Sequence, residues 1–294
     1  MLAVALVAAV QGIVAGQRPR APIPPPTRAY GELGGCPEEP AAYHPCAIAK
    51  AKSFSPPRTP HGRPDFQGFW SRAGVFGTDN IEEHGPELGD PGGKSQVVDP
   101  ADGLVPYLPW AAAQARANMT TYIDPQALCY PPGSPKQAYN AGVNQIVQTA
   151  DAVIFVNDFA HFYRIVPTDG RPHIAPGIRL GMGDSRGRWE GNTLVVDVTN
   201  LTDDTWFDHA GNFYSDHVHV VERWTLIAAD AIHFEATITD AKVYARPWTM
   251  AFGWRRNTEP GYELLENACV EGQQGRMPGE SIGLTRYPGV RFPN

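Results

Sequence analysis

Between Trp206 and Arg223 the chain gathers Trp206, Asp208, His209, Asp216, His217, His219, Glu222 and Arg223 within eighteen positions. If a strand begins at Asp216, side chains alternate between its faces. His217, His219, Val221 and Arg223 then share one face. Val218, Val220, Glu222, Trp224 and Leu226 share the other, which is the more apolar and the natural core, with Glu222 its exception. Three chemistries compete for these residues. His219 with Asp208 or Glu222 forms a proton-transfer pair, with Arg223 or Arg164 as an anion clamp; imidazole titrates near neutrality and a carboxylate neighbour poises it for acid/base work. His217 and His219, two apart and parallel on a strand, hold a divalent metal with Asp208 or His209. In the third, Glu222 and Arg223 are structural and His219 is a satisfied histidine. No metal or other cofactor is expected, since the H-x-H spacing alone is a weak metal signal.

A second cluster, His161, Tyr163, Arg164, Arg171 and His173, flanks an Asp169-Gly170 turn, with Arg164 on the strand face opposite His161 and Tyr163. Trp206 and Trp248 lie near strand ends and suit a pocket wall, whereas Trp224 and Trp254 suit core filling. The expected catalytic set is therefore His219, Asp208, Glu222 and Arg223. The expected ligand-binding set is His161, Tyr163, Arg164, His173, Trp206, His217 and Trp248. The chain carries no G-x-S-x-G, Walker loop, G-x-G-x-x-G or H-E-x-x-H, which removes support for serine-hydrolase, nucleotide-dependent and zincin mechanisms.

These residues must be positioned by strands. From Gln145 onward, short apolar runs at Ile146–Asn157, His161–Pro167, Arg186–Trp189, Thr193–Thr199, His217–Ile227, Ala231–Thr239, Pro247–Arg255 and Tyr262–Ala268 are separated by turn signals at Asp169-Gly170, Glu190-Gly191-Asn192 and Ala229-Asp230. Short connections without intervening helical patterns favour antiparallel neighbours. Eight such strands close into an up-and-down barrel able to hold one small ligand; a two-sheet sandwich is the alternative. Upstream, PIPPPT, SPPRTPHGRPD, LGDPGGK and YPPGSP break the chain into an irregular wrap. Only Trp110–Met119 there reads as a helix.

Composition agrees. Thirty glycines and twenty-nine prolines in 294 residues disfavour long helices. A net charge of −7 without a basic run argues against nucleic acid as a partner. Leu2–Gly16 is apolar apart from one Gln and ends in small residues, as a signal peptide does, although no Lys or Arg precedes it. Beyond it no segment is apolar for the ~18 residues a membrane span needs. The chain is expected in the periplasm or outside the cell. Four cysteines in an exported chain allow three pairings. Cys36–Cys46 with Cys129–Cys269 is favoured, because the first staples a segment without its own core and the second ties the barrel entry to its last strand.

Asp184–Val196 (DSRGRWEGNTLVV), Thr205-Trp206-Phe207-Asp208 and His219–Arg223 (HVVER), with RTPHGRPDFQGFW, CYPPG, IVQT, DGRPH and RPWT elsewhere, resemble a large, poorly characterised family of exported bacterial proteins. Its core pattern is G-R-W-E-G-D-T-L-V-V. The resemblance spans about Arg58 to Glu271, with Asn192, Trp224 and Tyr130 as departures. It implies an exported, β-rich, lipocalin-like (calycin-like) fold and no particular activity.

The expected organisation is thus a signal peptide (1–16), an irregular wrap (17–142), a mainly β, antiparallel eight-stranded barrel (143–275) and a tail (276–294). The expected function is binding of an aromatic, terpenoid or sugar-derived small molecule inside the barrel, with His219, Arg223, Trp206 and His161 contributing. A cofactor-independent lyase, isomerase or hydratase using a His–carboxylate pair in the same pocket is the alternative.

Overall fold

The computed structural model describes residues 25–74, 80–86, 91–140, 142–269 and 283–293. The apolar N-terminal run expected to be a signal peptide lies outside the described residues. In chain order the elements are β1 (Glu32–Leu33), β2 (Cys36–Pro37), α1 (Pro40–Ala51), β3 (Gly68–Ala73), β4 (Val97–Asp99), α2 (Pro109–Thr121) and β5 (Tyr122–Ile123). Then come β6 (Asn144–Gln148), β7 (Ala152–Asn157), β8 (Tyr163–Pro167), β9 (Asp184–Glu190) and β10 (Thr193–Thr199). The last are β11 (His219–Ala228), β12 (Ala231–Thr239), β13 (Trp248–Arg256) and β14 (Thr285–Arg286).

One antiparallel sheet dominates, in the order β8-β7-β6-β3-β13-β12-β11-β10-β9, with β4 also pairing β13. Its two ends approach each other, so the sheet curls into a nearly closed barrel of nine strands rather than eight. Three local effects produce the difference. The run Ile146–Asn157 folds back on itself at Thr149–Asp151, where the Thr149 hydroxyl donates to Asp151 and accepts from the Ala152 amide, a turn made without Gly or Pro. Gly68–Ala73, in the stretch expected to be irregular, inserts between β6 and β13. Tyr262–Ala268 forms no strand; a single bridge from Asn267 to Phe159 is its only pairing among the described residues. Two of the expected turns join neighbouring strands: Gly191-Asn192 joins β9 to β10, with Gly191 at φ 60°, and Ala229-Asp230 joins β11 to β12, whereas Asp169-Gly170 lies in the long loop from β8 to β9. The expected helix is α2, extended by a residue or two at each end.

Between β8 and β9, side chains close the barrel. Arg164 Nε on β8 donates to Ser185 Oγ on β9 at 2.8 Å. Gly187 lets β9 lie against β8, for a Cβ there would stand 2.8 Å from Val166 Cγ1.

Inside, alternation puts Val220, Glu222, Trp224 and Leu226 of β11 in the core, on the face the sequence assigned to it. Trp224 packs on Phe234, Trp254 and Phe155 with ring centroids 4.5, 4.8 and 4.9 Å apart. Trp70, Trp206 and Trp248 are also buried, and the core draws on Phe66, Tyr107 and Ala111 from the N-terminal half. Among the described residues, aromatic rings pack the centre of the sheet where a ligand chamber was expected. Trp206 packs edge-on against Tyr287, and Trp248 against Phe207 and Tyr244, so both are core residues rather than pocket walls.

On the outside, α1 lies against β11–β13 above a smaller core of Leu33, Tyr43, Ala47, Ile227 and Ala231. Pro40 starts it, its ring presetting the helical φ. Two disulfides, Cys36–Cys46 and Cys129–Cys269, match the favoured pairing; the first ties α1 to β2. Gly253 on β13 admits this layer, because a Cβ there would meet Leu33 Cδ2 at 2.4 Å and Tyr43 Cζ at 2.8 Å. Gly253→Ala is expected to cost ~1–3 kcal/mol by overpacking, read as a lower urea midpoint. An unchanged midpoint would show that α1 is not held tightly there. No helix among the described residues is long and apolar enough to cross a membrane.

Candidate functional site

The expected catalytic residues do not meet. Glu222 and Asp208 are fully buried, whereas His219 and Arg223 point outward from β11. Glu222 accepts from Ser134 Oγ at 2.5 Å, from Arg164 Nη1 at 2.9 Å to each oxygen, and from Trp224 Nε1 at 3.0 Å. That ion pair and its donors serve the seam and the core. Asp208 accepts from the Ile81 amide and from the backbone and side chain of Asn212. Burial pushes its carboxyl up to about 7, against those three bonds and the nearby Lys136. Burial also lowers the pKa of the Lys136 ammonium. Neither the proton-transfer pair His219–Asp208 nor His219–Glu222 exists.

His219 has a different carboxylate. Its Nε2 lies 3.1 Å from both oxygens of Asp197 on β10. Asp197 is also met at 3.0 Å by His173 Nε2, and His173 Nδ1 lies 2.6 Å from Asp184 Oδ2 at the start of β9. Arg186 Nη1 holds the other Asp184 oxygen at 2.6 Å. The result is a chain Arg186–Asp184–His173–Asp197–His219 across the outer face of β9–β11. Register explains it. Asp197 faces Val221 and Arg186 in the ladders, so the neighbouring outward positions, His219 and Asp184, fall diagonally across from it. His173 comes from the loop after β8.

This chain edges a groove of about 360 Å³ lined by His173, Ile174, Pro176, Arg179, Thr199 and His217, with Val218 and His219 completing one wall. Arg179 is held there by Asp216 at 3.3 Å. With Nε2–H given to Asp197, His219 keeps Nδ1 without a hydrogen bond among the described residues, so its lone pair is available as a base. His217 sits at the rim, largely exposed, 3.7 Å from Asp216; among the described residues it joins no cluster of three metal-ligand groups, while His219 is engaged by Asp197 and His209 pairs with Asp124.

His161, Tyr163 and Arg164 do come together, at a second groove of about 430 Å³ along the seam, with Pro131, Ile165, Leu180 and Met182. Its walls are mostly apolar, and Tyr163, Ile165 and Leu180 are exposed. The segment between Pro176 and Gly183 separates the two grooves, Arg179 lining one and Leu180 the other.

Arg223 belongs to neither groove. It pairs with Glu190 at 3.0 Å and approaches Glu235 at 3.7 Å, beside His44 of α1 and His233 of β12. Burial pushes the His233 imidazole down to about 3, with His44 adding to the effect, and lowers His44 as well. Sequence reading missed Asp184, Asp197, His44, His233 and Glu235. Asp197 carried one signal, an acid interrupting the apolar run LVVDV of β10. Comparison with known proteins returns no matching family model, no similar curated protein and no similar solved structure.

Proposed function

We propose that the protein is exported, binds a small organic molecule in the groove beside His173 and His219, and transfers a proton on it without a cofactor. One observation carries this reading: His219 donates Nε2–H to a carboxylate that is itself held in place by His173. A carboxylate that fixes an imidazole's tautomer and orientation makes the opposite nitrogen a general base. Arg179 at the same groove offers guanidinium donors to an anionic or hydroxylated substrate, and Ile174, Pro176 and Val218 offer apolar contact. The two disulfides favour an oxidising compartment, periplasmic or extracellular. The ligand classes expected for a barrel interior, aromatic, terpenoid or sugar-derived, fit a groove of this size and mixed polarity on the outer wall. A lipocalin-like outline remains our reading of the curled sheet, with the ligand outside it.

The test is deuterium incorporation from D2O into a panel of hydroxy acids, keto acids and cyclic ketones, followed by NMR. Wild type is expected to label at least one compound, and His219→Gln to slow that labelling by about 100-fold or more. Asp197→Asn is expected to slow it too, with the fold intact by circular dichroism. Labelling of no compound by wild type, or equal rates in His219→Gln, would overturn the proposal.

A further inference from the structure

Beneath α1, at the other end of the same outer wall, three ligand-type side chains converge. His233 and Glu235 are two apart on β12 and share its outward face, where they stand opposite Thr225 and Arg223 of β11. His44 reaches them from the second turn of α1. Its Nδ1 lies 3.1 Å from His233 Nε2 and 3.8 Å from Glu235 Oε2, and the three ligand atoms all fall within 4.8 Å of one another. The set is built rather than incidental. His233 is buried, and His44 and Glu235 are each about one-fifth exposed. The adjacent Tyr43 hydroxyl donates to the Ile232 carbonyl at 3.1 Å, which fixes the height of α1 above β12 one residue away from each histidine. The Cys36–Cys46 disulfide anchors the same helix two residues beyond His44.

We propose that His44, His233 and Glu235 bind one Zn2+ ion. Two nitrogens on a tetrahedral zinc, each at ~2.0–2.1 Å, stand about 3.3 Å apart, close to the spacing already present between the two rings. In the metal-free arrangement the pair shares a single hydrogen bond, so one imidazole donates and the other accepts. Zn2+ at the centroid would use a lone pair from each ring and a carboxylate oxygen. Two imidazoles and one carboxylate form the donor set of zinc sites that keep a fourth position open.

The fourth position has room. A cavity of about 290 Å³ adjoins the cluster, lined by Ile48, Ala51, Thr193, Arg223, Thr225, His233 and Glu235. The Arg223 guanidinium, 3.7 Å from Glu235, supplies a positive charge at its edge. A water or an anionic oxygen ligand, such as a carboxylate, suits that position. Neither His219 nor its groove takes part, so this site stands apart from the proposed proton transfer.

The test uses the full chain with intact disulfides, stripped of metal and titrated with Zn2+ alone by calorimetry. One equivalent is expected to bind, with His44→Ala and Glu235→Gln each weakening it by about 100-fold or more. Both substituted residues are partly exposed, so these variants avoid the folding risk of replacing His233. Co2+ loaded in place of Zn2+ is expected to give the visible bands of a tetrahedral N/O site in wild type, lost in His44→Ala. His217→Ala serves as the control and is expected to bind as wild type does. Absence of stoichiometric Zn2+ binding by wild type, or an unchanged affinity in both His44→Ala and Glu235→Gln, would overturn the assignment.

Discussion

Replacing Glu222 by Met is expected to remove about 3–5 kcal/mol of stability, the range for stripping one partner from a buried ion pair. Arg164 is left with its charge inside the barrel wall, and the Ser134 hydroxyl and Trp224 indole N–H lose their acceptor. Arg164→Met should cost a similar amount, because Glu222 remains as a buried anion and Ser185 loses its bond across the seam. The double replacement Glu222→Met with Arg164→Met should recover much of the loss. It removes both charges together, and apolar substitutes of similar volume often equal a buried pair. Urea unfolding of the four proteins measures the cycle. A double variant as unstable as the sum of the singles would show that Glu222 and Arg164 act independently, with no coupling between their charges. Single losses below about 1 kcal/mol would mean that water reaches the pair.

The second large effect depends on pH. The Asp208 carboxyl is held near 7 in the fold and returns to the ordinary carboxylate range when the chain unfolds. Its folded-state pKa is therefore raised, so between about pH 4 and pH 7 the folded form binds more protons. Stability from this group is complete below the unfolded value and is lost as pH rises toward 7. A shift of this size corresponds to roughly 4 kcal/mol. Asp208→Asn cannot ionise. It carries a constant penalty, because its amide N–H2 must face the Ile81 or Asn212 donors, but no slope from this position. The stability of Asp208→Asn relative to wild type should therefore improve by about 4 kcal/mol from pH 4 to pH 7.5. His233, whose folded-state pKa is lowered, contributes the opposite slope in both proteins, losing stability as pH falls from about 6.5. It cancels in the difference. Parallel stability curves for the two proteins would show that Asp208 is ionised throughout.

Much of the fold was legible because it is local. The two-residue turns at Gly191-Asn192 and Ala229-Asp230 and the alternation of β11 depend on neighbours in sequence, and both were readable, including the inward placement of Glu222. What failed depends on distant partners. Gly68–Ala73 sits among prolines and becomes a strand only because β13 and β6 offer edges on either side. Tyr262–Ala268 has apolar residues, yet Leu265 is 69% exposed, and Tyr262 packs only edge-on against Phe69, 5.0 Å away. α1 was hidden by two prolines, one starting the helix and one inside it.

The sites show the same division. His173 and His219 were recognisable as residue types, and the structure brings them to one groove. Their common partner, Asp197, is set by strand register that no single segment encodes. His44 and His233 are separated by 189 positions, so only the docking of α1 makes them a pair. Asp208 and Trp206 looked chemical because polar and aromatic residues crowd that segment. Burial turned one into a backbone acceptor and the other into core.

The filled interior has a consequence for how this protein tolerates change. Had the ligand occupied the barrel centre, each core substitution would also have altered its binding surface. Here Trp224, Trp254, Phe155 and Phe234 pack on one side of the wall, while His219, Asp197 and Glu235 project from the other, where His44 reaches down from α1. Substitutions on opposite sides share few partners, and effects without shared partners add nearly independently. The wall therefore separates two mutational programmes. Residues outside it can drift toward new ligands while the aromatic interior keeps the scaffold folded.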